Sequence, residues 1–256
     1  MSRKTTCSLI IFLVACAAFP VFAGKKSPLA LSIASSSSQN NGGAQLPPSD
    51  YTVMGGRLAL FSAAHRGMYG LAFSVLANED NNVSGDIAGI QVAGFFNTAG
   101  GAEYGAWQLA SLGNELNGDG NAMQLAGFYN GTRGYYNGFM LCGLINNAEN
   151  LIGAQISGLN STAQKDVYGA QLALVNVAGS LVGVQLGGVN VSSSLVGVQL
   201  GVANWVKEGG PNSGMCGIQI GALNYAESSS GGIQLGVVNV IKDNEWPFFP
   251  IFNCYF

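Results

Sequence analysis

From residue 53 to the C-terminus, apolar and non-apolar positions alternate in short runs. Val196, Val198, Leu200 and Val202 are interleaved with Gly197, Gln199, Gly201 and Ala203. A period of two predicts a β-strand with one aliphatic face and one small or polar face. The run belongs to a repeated unit, Gly-x-Gln-apolar-small-x-apolar-Asn. It recurs as GAQISGLN at 153–160, GAQLALVN at 169–176, GVQLGGVN at 183–190, GVQLGVAN at 197–204, GIQIGALN at 217–224 and GIQLGVVN at 232–239. Looser copies precede these. GIQVAGFFN at 89–97 and AMQLAGFYN at 122–130 carry one additional residue, WQLASLGN covers 107–114, and GFMLCGLIN at 138–146 reads as a copy with Leu141 in the place of Gln. GGRLALFS at 55–62 and GLAFSVLAN at 70–78 are degenerate copies. The repeat-defining positions are therefore Gln91, Gln108, Gln124, Gln155, Gln171, Gln185, Gln199, Gln219 and Gln234, with Asn160, Asn176, Asn190, Asn204, Asn224 and Asn239. Connectors such as 191–194 and 207–211 hold Ser, Gly, Pro and most of the charges, which is turn chemistry.

The pattern predicts an all-β fold, and two architectures fit it. The favoured one is a repetitive up-and-down β-barrel of about twelve strands in a membrane. A strand of ~10 residues rises ~33 Å and, tilted by ~45°, spans an outer membrane's apolar band. The Val/Leu/Ile face would meet lipid and the Gly/Gln/Ala face would line the lumen. The alternative is a β-solenoid, each unit forming one short coil. Val and Leu would then point into a narrow core, and Gln and Asn would stack into ladders between coils. Near-identical consecutive units favour the solenoid. The C-terminus favours the barrel: Phe248, Phe252, Cys254 and Phe256 share one face of a last strand, and Phe252 with terminal Phe256 reads as an outer-membrane assembly signal.

Composition agrees with either form. Charged residues make up 9% and glycines number 38 in 256 residues. Arg3 and Lys4, the apolar run Cys7–Phe19 and the small residues before Gly24 predict a signal peptide over 1–23. Leu13-Val14-Ala15-Cys16 also resembles a lipobox, which would make Cys16 a lipid anchor. Residues 24–52 are rich in Ser, Asn and Gln, so a disordered leader is expected there, followed by one repeat domain over 53–256. Removing 1–23 leaves eight basic against thirteen acidic side chains, a net charge of −5. That balance argues against a nucleic-acid partner.

Gly70-Leu71-Ala72-Phe73-Ser74-Val75-Leu76, then Asn82-Val83-Ser84-Gly85, then the serial GxQxGxxN units and the ending PFFPIFN at 247–253 with Phe256 resemble the bacterial surface repeat proteins first described in pathogenic leptospires. The resemblance covers about 53–256. It implies exposure at the cell surface and no catalytic residues that carry over.

Little in the chain suggests reaction chemistry. His65 is the only histidine, in the connector 63–67, and is expected to be solvated. No second histidine completes a metal pair and no GxSxG is present. Glu79, Asp80 and Asp86 form an acidic loop, a weak Ca²⁺ candidate at most. Asn82, Asn130, Asn160 and Asn190 head glycosylation sequons that read as chance. Cys142, Cys216 and Cys254 read as isolated thiols. Trp107, Trp205, Trp246, Tyr168 and Tyr225 are either interfacial girdle residues or ordinary strand-end packing. The sequence thus predicts an exported, non-enzymatic outer-membrane barrel with a structural, pore-like or surface-interaction role. Its partners would be outer-membrane lipid and the outer-membrane assembly machinery, with no cofactor or metal and the extracellular ligand open. The alternative function is a secreted or lipid-anchored solenoid serving adhesion or scaffolding.

Overall fold

The structure, a computed structural model, describes residues 25–34, 44–80, 86–207 and 214–255. The expected signal peptide 1–23, Cys16, Asn82 and Phe256 lie outside the described residues, as does most of the 207–212 insertion. Every regular element among the described residues is a β-strand.

The strands wind as a β-solenoid of about eleven turns. Most coils hold a longer strand carrying the Gln and a shorter one carrying the Asn, as in Gly120–Ala126 followed by Tyr129–Thr132. Long strands stack on long strands and short on short, always in parallel. Gln124 lies over Gln108, Gln155 beside Gln171, Gln199 beside Gln219 and Asn204 beside Asn224. From Leu159 to Val206 strand pairing is unbroken through several coils. This overturns the barrel, whose sequential strands would pair antiparallel. Alternation did not discriminate, because residues face alternately inward and outward in both architectures. The regularity of the unit did: parallel stacking places each residue on its own counterpart, which suits a repeat that hardly varies.

Antiparallel pairing among the described residues is confined to the two ends. Ala44–Leu46 folds back on Lys26–Ala34, and Phe248–Tyr255 folds back on Ser229–Ile241. Phe248–Tyr255 covers the hydrogen-bonding edge that the last coil would otherwise offer to another chain, and Ala44–Leu46 covers the Leu31–Ala34 part of the edge at the first. Part of the span expected to be a disordered leader is thus ordered. Lys26–Ala34 is the first rung, parallel to Thr52–Ala59, with Leu29, Leu31 and Ile33 continuing the outward pattern. Its alternation was hidden by the Ser-rich stretch that follows.

The sense of the alternation also differs from the expectation for a solenoid. The Gln and Asn side chains are inside. With them are the apolar residues four before each Gln, such as Leu181, Leu195 and Met215, and two after each Asn, such as Val206, Ala226 and Ile241. Val196, Leu200 and Val202 face outward and are exposed. Where one coil lacks a core side chain its neighbour compensates: Tyr136 lies beside Gly120 and its hydroxyl donates to the Ala122 carbonyl at 2.7 Å. Burial pushes the Tyr136 phenol well above its ordinary range.

Glycine stands two before most of the Gln residues, with Ala106 and Ala122 in that place before Gln108 and Gln124. Gly169 and Gly183 have φ of 145° and Gly197 of 141°, a region that side chains rarely adopt. A Cβ on Gly183 would also run into the carbonyl oxygen of Gly169 in the preceding coil. Gly153, Gly169, Gly183 and Gly197 stack on one another where that approach is closest, while Ala106 and Ala122 occupy the same column in two earlier coils.

Candidate functional site

The interior is organised by two columns of amides. In the Asn column each Nδ2 donates to the Oδ1 of the next coil, from Asn78 to Asn97 at 2.9 Å through to Asn224 and Asn239 at 2.8 Å. The same group bonds a main-chain carbonyl of the following coil, as Asn190 does to Leu200 at 2.9 Å. In the Gln column each Nε2 donates to the preceding coil instead: Gln185 to Gln171, Gln199 to Gln185 and Gln219 to Gln199, each at 2.8 Å. A buried amide without partners is costly, but identical amides one rung apart satisfy one another by translation alone. All the Gln and Asn residues singled out from the sequence as repeat-defining lie in these columns and are buried. They hold neighbouring coils together, and Asn130, Asn160 and Asn190, with their amides buried and bonded in the column, are not available as glycosylation acceptors.

The Gln column has one internal gap, and its position corrects the sequence alignment. Met140, not Leu141, occupies the Gln register, between Gln124 and Gln155. Gln155 donates to the Met140 sulfur at 3.4 Å, while the Gln124 Oε1 is buried with no partner. Gln234 Oε1, at the column's last Gln, is likewise unpartnered.

The other end of the Gln column is charged. Gln91 donates to the Asp80 carboxylate at 2.5 Å. Asp80 is paired with Arg57 through Nη1 at 2.5 Å and Nη2 at 2.9 Å, and both side chains are fully buried. Arg57 stands in the Gln register itself, aligned through small Ala72 to Gln91. Asp80 replaces the apolar residue usual two positions after the Asn. The acidic loop expected to be exposed thus contributes its central carboxylate to the core, where it is unavailable to Ca²⁺. His65, expected to be solvated, is also buried here, 2% exposed, with both ring nitrogens unpartnered. Burial first, then the nearby Arg57 guanidinium, lowers its pKa to about 4, against an opposing pull from Asp80. Aligning GGRLALFS with GAQLALVN would have put Arg57 in the Gln slot. Nothing in the sequence showed His65 beneath it. Among the described residues no group of three or more His, Cys, Asp or Glu is placed to hold a metal.

The outer surface divides by chemistry. On the side that carries the Gln column, the residue after each Gln is Leu, Ile or Val, from Val92 to Leu235. The register carries the same column on to Leu58 and Leu31 at one end and Phe252 at the other. The residue before each Gln adds Trp107 and Ile218, and the next corner adds Phe95, Leu174 and Val237. No charged side chain interrupts these columns. The charges lie beyond the Asn column, where Arg133–Glu115, Lys165–Glu149 and Lys242–Glu227 pair between neighbouring coils. Trp205 and Tyr225 stack on that side with ring centroids 4.6 Å apart. The aromatics therefore do not form girdles. Phe252, expected to act as an assembly signal, is exposed on the capping strand and extends the apolar column.

No protein-family model, no curated protein and no solved structure matches the chain.

Proposed function

We propose that the chain is a non-catalytic surface scaffold, exported from a bacterial cell, that works through its charge-free outer face. The observation that carries this reading is the segregation of the surface. Soluble monomers rarely expose contiguous apolar patches larger than a few hundred Å², and larger ones mark interaction sites. Here such a face runs the length of the rod, while the polar groups of the repeat are consumed internally in holding the coils together. A rigid, inert body with one adhesive side suits scaffolding or adhesion. The apolar N-terminal segment and the likeness to bacterial surface repeat proteins support export.

The test is protease shaving of intact cells expressing the full chain, native or with Leu186→Ser and Leu200→Ser together. Expected is a surface-accessible native chain, and a variant that folds and is exported but is shed into the medium. A native chain that stays inside the cell, or a variant retained as well as the native chain, refutes the reading.

A further inference from the structure

We infer that the charge-free face is covered by the same face of a second copy, so that the scaffold unit is a face-to-face dimer. This rests on the reading that this face is the interaction surface, and names its partner. Three observations favour a copy over other occupants.

The first is area. About eleven turns, each advancing ~4.8 Å, give a face ~50 Å long, and three outward columns make it ~15 Å wide, roughly 800 Å² per copy. A stable protein pair of standard size needs about 800 Å² from each partner.

The second is shape. The face is a sheet surface whose columns repeat at one rung spacing, so aliphatic side chains of one copy can seat between those of another at the ~10 Å separation of stacked sheets. Leu172, Leu186 and Leu200 follow one another in such a column, each partly exposed.

The third is charge. A lipid surface holds peripheral proteins through apolar contact aided by Lys and Arg that meet anionic headgroups. Here Lys25, Arg133, Lys165 and Lys242 are paired with carboxylates, exposed Arg66 and Lys207 lie beyond the Asn column, and the columns of the face contain no cation. Between two copies the apolar faces meet with no charge to desolvate, and the ion-paired sides point away.

Sedimentation velocity on the purified full chain in detergent-free buffer, over a wide concentration range, tests this. Particles of twice the chain mass are expected. Leu186→Lys with Leu200→Lys should raise the dimer Kd by roughly two orders of magnitude, because each ammonium would be buried unpaired. Far-UV circular dichroism of the variant checks that the β-fold persists, and Ser193→Lys, away from the face, should leave the dimer intact. A chain that is monomeric at every concentration overturns the inference, as does a dimer indifferent to the lysines. Flotation with phosphatidylcholine vesicles separates the two failures. A monomer that floats shows that lipid covers the face, so the dimer falls and the interaction surface stands. A monomer that does not float, with surface retention insensitive to the face, removes both.

Discussion

Replacing Met140 by Gln should stabilise the protein, the opposite of what burying an amide in a core ordinarily does. Met140 is fully buried and nearly isosteric with Gln. On its one side the Gln124 Oε1 has no partner; on the other the Gln155 Nε2 donates to the Met140 sulfur at 3.4 Å. A Gln at 140 would donate to the first and accept from the second, as Gln185 does between Gln171 and Gln199. Satisfying a buried orphan recovers ~1–3 kcal/mol, and exchanging a sulfur acceptor for a carbonyl adds about 0.5 kcal/mol. Desolvating the new amide offsets part of this, leaving a net gain of ~1–2 kcal/mol, or a rise in Tm of roughly 2–6 °C for a chain of this size. The converse, Gln185→Met, opens a gap in an intact column and should cost ~2–4 kcal/mol. Thermal and denaturant unfolding of the two variants against the native chain reads both signs. If Met140→Gln destabilises while Gln185→Met is neutral, the amide column is not what stabilises the coil stack.

Two further outcomes follow from the same interior. Gly183→Ala combines an unfavourable φ with a collision against the Gly169 carbonyl, so it should lower stability by at least ~3 kcal/mol and loosen the neighbouring coils first; hydrogen exchange with mass spectrometry would show whether protection is lost around 169–199. His65 is buried neutral with its pKa lowered to about 4 from the ordinary 6.5. An unfolded chain takes up the proton first as the medium acidifies, so the stability is whole above pH ~6.5 and declines towards pH ~4, by about 3 kcal/mol in all. Denaturant midpoints across that window should fall more steeply for the native chain than for His65→Leu, and equal slopes would remove His65 from the account.

The repeat, its β character and the Gln and Asn positions are legible in the sequence because they are translational: one unit read once gives all of them. What decides inside from outside is not. Aliphatics such as Leu200 look like core to any hydrophobicity argument, and Leu200 does alternate with Gln199 as a core residue would. The amides win the interior because stacking satisfies every donor and acceptor, a property of neighbouring coils that no single strand displays. Met140 was misplaced by one position for a related reason: GFMLCGLIN contains no Gln to fix its register, and only the stacking on Gln124 and Gln155 does so. Arg57 and Asp80 are separated by 23 residues and meet because Ala72 leaves room between them. His65 lay beyond reach because its burial depends on the ordering of 44–47, where composition suggested disorder.

The two amide columns donate in opposite senses, the Asn column towards the C-terminal end and the Gln column towards the N-terminal end. Aligned peptide groups in a helix sum to a macrodipole of about half a charge at each end. Here the two columns run counter to each other in each coil that carries both amides, so their dipoles largely cancel and no such end charge accumulates with length. Each coil is then an electrically balanced module. Duplication of a unit would lengthen the rod and its apolar face without straining the charged pair at one end or the capping strand at the other. The number of coils is free to vary, and the near-identity of the units from 169 to 204 is what such lengthening would leave behind.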